Sequence, residues 1–447
     1  MKSSPRPESI LGKSFECQCG RTHRVSIKAI IYSDDAYNQM MDILGREIFG
    51  RDATMLSDQR TYDIAGSKIV EILKQHGWSV ESIVVPDKGT LTPRCDDVTL
   101  KELISRSGSP DVFLAVGTGV INDLTKWLSF EKNTPYLAVA TAGTMNGYTS
   151  ANVAPSIDGV KQIVRAHTPI AVCALPAVIE KAPFNLIASG LGDIVAKSVS
   201  GADWKMNHHL FGEYFCTFCA EIISNIEPLY FNHPERIADR DPLGIKAIFD
   251  ALLYSGLAMT MIGTSAPASG GEHLFSHTLD MMSSVDGIPH DLHGRQVGLG
   301  TIFAAALYER LRAIESPRFF DLPGAINKSF WGKLAGPVSE QYAAKQPHLM
   351  QMRDRLSDSA QWNRFRETVF GSAIAPERIA NCLLSAGAAR FVDDINCSVH
   401  RAKTAILHMH EIRKRCTVVD LAWMVGILPD AVDEIMEQWL VRPKQGS

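Results

Sequence analysis

The sequence predicts an α/β amino-terminal domain built on a parallel sheet, followed by an all-α carboxyl-terminal domain. Over residues 1–180, short apolar runs alternate with amphipathic stretches of helical spacing, the pattern of strands covered by helices on both faces. Over residues 181–447 helical spacing persists and strand signals nearly vanish. The change falls at Lys181-Ala182-Pro183, where proline suits the start of a helix.

The elements follow in order. Val25 to Tyr32 is β-rich and ends at Ser33-Asp34-Asp35. Tyr62 to His76 has helical spacing and is closed by Gly77. Val80 to Val85 is the next strand, Leu100 to Ser105 a short helix, and Val112 to Val116 a buried strand. Asp123 to Phe130 reads as helix, and Tyr136 to Val139 and Ile170 to Ala174 as strands. Beyond the boundary, Ile187 to Ser200, Cys216 to Ile226, Gly244 to Ile262, His273 to Met282, Val297 to Ile314 and Val418 to Val425 all carry helical spacing. Pro317 to Pro347 is rich in Gly and Pro and reads as an irregular surface excursion. The Met40 to Arg60 stretch is assigned no element.

Composition narrows the function classes. The 447 residues are 45% hydrophobic, enough for a large core, and the net charge of −4 comes from mixed acidic and basic residues. Nothing forms the basic stripe of a nucleic-acid binder. No apolar run reaches the ~18 residues of a membrane span. The polar start, Met1 to Glu8, lacks the apolar centre of a signal peptide. Nine cysteines scattered over so long a chain read as reduced thiols, which points to the cytoplasm. Cys17-Gln18-Cys19-Gly20 with His23 is half of a metal pattern. No second cysteine pair sits at a matching distance, so strand and turn is the simpler reading. Cys216-x-x-Cys219 lies in helix-like sequence, without the strand-to-helix turn that a redox pair uses.

Three segments carry chemistry. In Gly117-Thr118-Gly119-Val120-Ile121-Asn122-Asp123, two glycines directly follow a strand and open a helix. Glycine lets the backbone approach a ligand closely, and a helix N-terminus offers N–H groups and partial positive charge to a phosphate. Asp123 is placed to cap that helix. The same pattern also suits a plain tight turn. Thr141-Ala142-Gly143-Thr144-Met145-Asn146-Gly147-Tyr148-Thr149-Ser150 follows the next strand, so it leaves the sheet at the same carboxyl edge, where open α/β sheets bind ligands.

The third feature is a set of metal-ligand types. Asp193 stands among Leu191, Ile194 and Val195, where an unpaired carboxylate is costly, so either Lys197 or a cation must partner it. His273 and His277 share a helix face, and His290 and His293 follow. One carboxylate with two imidazoles leaves an open coordination position for a substrate oxygen. Beside a nucleotide cradle, that combination points to a metal-assisted dehydrogenase.

The ordered set G-T-G-V-I-N-D, T-A-G-T-M-N-G-Y-T-S, G-L-G-D-I-V-A-K, G-E-H-L-F-S-H and H-G-R-Q-V-G resembles the sn-glycerol-1-phosphate dehydrogenase family, over roughly Ile30 to Ile435. That family is similar to glycerol dehydrogenase and dehydroquinate synthase, within the iron-containing alcohol dehydrogenase superfamily. The resemblance implies a Rossmann-like first domain, a helical second domain and an active site in the cleft between them. It implies interconversion of glycerol 1-phosphate and dihydroxyacetone phosphate with NAD or NADP, and one divalent ion, zinc, nickel or iron.

Residue by residue, it makes Asp193, His273 and His293 the metal ligands and His277 a substrate contact, and leaves His290 in a loop. It sets Gly117, Thr118, Gly119, Val120, Ile121, Asn122, Asp123, Thr141, Ala142, Thr144 and Ser150 along the dinucleotide. Lys197 matches no family role. The family commonly carries an aspartate at Asn146; the amide still hydrogen-bonds a hydroxyl but removes a charge, which bears on the substrate. A small phosphorylated substrate and a homo-oligomer are further implications. A lyase or cyclase like dehydroquinate synthase, recycling its NAD, and a dehydrogenase for a different polyol are the alternatives.

Overall fold

The computed structural model describes residues 7–88 and 92–443; the polar stretch 1–6 lies outside the described residues. Two compact units emerge. The first takes the chain up to Gly190 together with Thr217–Leu229 and Asp239–Thr264. The second takes Leu191–Cys216, Tyr230–Ala238 and the chain from Ser265 onward. The change of pattern near residue 180 marks where strands stop. It does not mark where later helices pack, because two of them return to the sheet unit.

The first unit opens with an antiparallel hairpin, β1 (Ser14–Glu16) and β2 (Thr22–Arg24). Its centre is a six-stranded sheet of β3 (Ala29–Tyr32), β4 (Asp52–Ser57), β5 (Ser79–Val84), β6 (Val112–Gly117), β7 (Tyr136–Ala140) and β8 (Ala171–Ala174). The order is β3-β8-β7-β6-β4-β5 and every pairing is parallel. Parallel strands need covered faces. Leu114, Val116, Val139 and Cys173 join Met40, Leu44, Ile69 and Leu73 in one core. The intervening Phe113, Ala115 and Ala138 are equally buried. The chain steps outward from β4 to β5, then returns past β4 to β6 and moves the other way. That reversal beside β6 is the switch point at which ligands of such sheets bind.

Met40 to Arg60 is accounted for by two elements. It holds α1 (Ala36–Glu47) and the interior strand β4. Asp52-Ala53-Thr54-Met55-Leu56-Ser57 has only Thr54 as a β-branched residue, so the strand gives little propensity signal. The helix α2 (Gly119–Glu131) packs on β6 and β7. Asp123 lies in its second turn rather than at its cap; Thr118 is the N-cap, and the Asp123 carboxylate faces Lys126 at 3.4 Å and accepts from the Ala154 amide.

The stretch Ile187 to Ser200 is two helices, α3 (Phe184–Val195) and α4 (Lys197–Phe211), with a break at Ala196. Next come α5 (Thr217–Ser224) and α6 (Pro242–Ile262), both in the first unit. By length and mean hydropathy α6 matches a membrane span, contrary to the reading of the sequence, yet 78% of its apolar window is buried, so it serves as a core helix. In the second unit α7 (Gly271–Asp286) and α8 (His293–Ala313) form the central pair, joined by α9 (Ala335–Leu356) and α10 (Val418–Met424). No strand follows Ala174 among the described residues.

The expected surface excursion over Pro317 to Pro347 is corrected by α9. Val338, Tyr342, Lys345, Leu349 and Met352 are its buried stripe, and Pro347 lies inside it. A lysine within that stripe disguised it. Lys345 is buried because its Nζ donates to the Asp420 carboxylate at 2.7 Å.

Candidate metal centre and glycine turn

Asp193 comes from the last turn of α3, His273 from the first turn of α7, and His293 from the first residue of α8. Each offers one ligand atom within 4.8 Å of the other two. Glycines make this approach possible. A Cβ on Gly192 would stand 2.0 Å from the Gly294 carbonyl oxygen, so the backbones beside Asp193 and His293 touch. A Cβ on Gly300 would stand 2.2 Å from the Glu272 carbonyl oxygen, which sets α7 against α8 in the same way. Neither position tolerates a side chain without moving a ligand.

The imidazoles are oriented for coordination. His273 Nδ1 lies 2.8 Å from Glu272 Oε1 and so donates its proton there, while its Nε2 faces Asp193 Oδ1 at 3.5 Å. The Gly270 amide donates to the same Glu272 oxygen at 2.7 Å. His293 Nδ1 lies 2.9 Å from Ser276 Oγ, itself 2.7 Å from the Gln296 side-chain amide. Tying Nδ1 presents Nε2 as the candidate donor atom, the arrangement that metal-binding histidines use. Asp193 is fully buried. Burial opposes its charge, but the Lys197 ammonium, then the His273 hydrogen bond, outweigh this and hold the carboxyl well below the usual carboxylate range. A buried carboxylate and two presented Nε2 atoms are the donor set for a divalent cation with an open position. His277 joins the cluster as a third imidazole, its ring centroid 5.7 Å from His293 and 6.0 Å from His273, but it is not among the three converging donors. His290 lies between α7 and α8 and pairs with Asp280 at 3.0 Å.

In the sheet unit, the loops after β6 and β7 are stitched together. Thr118 Oγ1 lies 2.5 Å from Thr144 Oγ1 and donates to the Ala142 carbonyl at 3.2 Å. Tyr148 Oη donates to the carbonyls of Gly117 and Ala142. Asn122 Nδ2 donates to the Gly147 carbonyl at 3.3 Å. Gly119 has φ +32°, a value that favours glycine, and is the first residue of α2, where the leading N–H groups of a helix lack intrahelical carbonyl partners. Ile121 packs its side chain under Gly117. Val120 is half-buried in that first turn, and Thr141 is buried at the end of β7. Ser150 is buried, its Oγ accepting from the Asn152 amide. Asn146, half-buried, reaches Ser255 Oγ on α6 at 3.4 Å. Sequence reasoning missed Glu272, Ser276 and Gln296, whose Glu/Ser types at i and i+4 of one helix face were the available signal.

A parallel sheet with a glycine turn at its switch point, and a helical unit holding a convergent Asp–His–His cluster, define a metal- and NAD(P)-dependent alcohol dehydrogenase. The family model for iron-containing alcohol dehydrogenase matches residues 31–183. The glycerol-1-phosphate dehydrogenase [NAD(P)+] of Halalkalibacterium halodurans is 31% identical over 408 residues, covering 90% of this chain and 94% of that protein. The Bacillus subtilis enzyme of the same name is 27% identical, covering 91% and 93%. Glycerol dehydrogenase from Schizosaccharomyces pombe shares the fold, with a TM-score of 0.59 at 16% identity over 94% of this chain and 95% of that one. This chain belongs to the glycerol-1-phosphate dehydrogenase family of iron-containing alcohol dehydrogenases.

Proposed function

We propose that the chain interconverts sn-glycerol 1-phosphate and dihydroxyacetone phosphate with NAD or NADP, using one divalent cation held by Asp193, His273 and His293. The convergence of those three donors within 4.8 Å carries the reading, and the names of its relatives supply the substrate. Bound there, the cation would stabilise negative charge on the substrate oxygen while nicotinamide exchanges hydride with the adjoining carbon. Glu272 and Ser276 hold the two imidazoles in register, and Lys197 keeps Asp193 ionised. His277 is assigned to a substrate oxygen and Asn146 to a hydroxyl. The first-turn N–H groups after Gly117 and Gly119 are assigned to the pyrophosphate, with Thr118, Val120, Ile121, Asn122, Asp123, Thr141, Ala142, Thr144 and Ser150 building or backing that surface. The division of labour follows 1–180 for cofactor and 181–447 for metal and substrate, with Asn146 the one substrate contact assigned to the first part. A cytoplasmic homo-oligomer fits the same reading.

Protein stripped with chelator should lose glycerol 1-phosphate oxidation, followed as NADH or NADPH absorbance, and regain it with zinc, nickel or iron(II). Unchanged turnover after verified metal removal overturns the proposal. A burst of product with no net reduced nucleotide would favour the lyase-like alternative.

A further inference from the structure

A second cluster of metal-ligand side chains lies at the other end of the chain. The β1–β2 hairpin turns through Cys17-Gln18-Cys19-Gly20, where the Cys17 amide donates to the Arg21 carbonyl at 3.0 Å and Gly20 sits at φ +82°. Antiparallel pairing puts His23 opposite Phe15. Cys17, Cys19 and His23 each bring a ligand atom within 4.8 Å of the others. The Cys19 sulfur is 3.6 Å from His23 Nε2.

His23 is prepared as a ligand rather than packed as an apolar ring. It is 1% exposed, and its Nδ1 lies 3.2 Å from the Met261 backbone carbonyl on α6. That carbonyl can only accept, so Nδ1 carries the proton and Nε2 keeps its lone pair toward the thiols. A backbone carbonyl fixing the tautomer this way is the supporting contact of metal-bound histidines. Phe218 of α5 flanks the cluster, its ring 6.4 Å from the His23 ring and 5.3 Å from Phe15. Two residues before Phe218, at the entry to α5, the chain carries buried Cys216.

We propose that Cys17, Cys19 and His23, completed by Cys216, form a closed tetrahedral zinc site, separate from Asp193–His273–His293. Three thiolates and one imidazole saturate zinc, so the site has no open position and is structural. Binding releases the three thiol protons to solvent and fastens the amino-terminal hairpin to α5 and α6. Only half of the motif is legible in the sequence because the fourth donor lies about two hundred positions downstream.

Cobalt(II) separates this site from the catalytic one, since thiolate ligands give intense near-ultraviolet charge-transfer absorption and Asp and His ligands do not. Full-length protein, purified reduced and reloaded with cobalt(II), is expected to show that absorption. Cys17→Ser/Cys19→Ser should abolish it and lower bound zinc by one equivalent per chain, while Asp193→Asn leaves it intact. If the double variant does not fold, Cys19→Ser alone should weaken the band by about one third, the share of one thiolate in three. A wild-type spectrum without the band, or a band and zinc content unchanged in the cysteine variants, overturns the proposal.

Discussion

Lys197 Nζ donates to the Asp193 carboxylate at 3.0 Å, across the break between α3 and α4, with both side chains essentially out of solvent. The same ammonium donates to the Ala268 carbonyl at 3.1 Å. The lysine thus supplies the charge partner that an unliganded Asp193 needs, and it does so beside two imidazoles.

Lys197→Met should therefore cost most when no metal is bound. Breaking one side of a buried ion pair costs about 3–5 kcal/mol. Urea unfolding of the stripped variant should show a loss of that size, and saturating zinc should recover more of it than in wild type. Equal losses with and without metal would show that Lys197 acts by packing alone.

Glu272→Gln tests the orientation of His273. The carboxylate accepts the Nδ1 proton at 2.8 Å, and an amide there holds it less firmly. Metal affinity should fall by roughly 10- to 100-fold, the usual effect of losing such a partner. Competition with a chelator of known affinity reads this directly, and an unchanged affinity rejects the role.

Gly192→Ala tests the backbone contact beneath the ligands. Its new methyl would meet the Gly294 oxygen at 2.0 Å. We expect a loss of about 3 kcal/mol, at the upper end of overpacking costs, together with weakened metal binding because Asp193 and His293 are forced apart. A variant with wild-type stability and metal affinity contradicts this account of the close approach.

His410 gives the fold a pH response of its own. It is buried, its ring 4.6 Å from Trp423 and 6.0 Å from Tyr342. Burial first, then the Lys345 ammonium and His408, push its imidazole down from 6.5 to about 3. A histidine with a depressed folded value binds protons only after unfolding, so its contribution is complete above 6.5 and is lost as pH falls toward 3. Between pH ~7 and ~5 this group alone should remove about 2 kcal/mol. His410→Phe should flatten that part of the urea-midpoint profile, and an unaltered slope would assign it elsewhere.

Legibility in the sequence followed the range over which each signal acts. β6 and its glycines stand out because a fully buried strand is a continuous apolar run and the turn follows within two residues. Asp193 stands out because a charge amid Leu191, Ile194 and Val195 requires a partner. β4 does not, since a buried central strand can be built from Ala, Met and Leu without a period. Asp123 misleads because a carboxylate near a helix start resembles a cap, whereas Thr118 holds that place in the fold. α9 is hidden by Lys345, whose burial depends on Asp420, 75 positions away. Glu272 and Ser276 are ordinary letters until His273 and His293 are seen against them.

The paired hydroxyls of Thr118 and Thr144 have a kinetic meaning as well. Two loops tied to each other by these hydrogen bonds leave a guest little chain to immobilise. On the proposed assignment, a nucleotide held there would gain affinity through low entropic loss, and exchange of its oxidised for its reduced form would require no rearrangement of these loops.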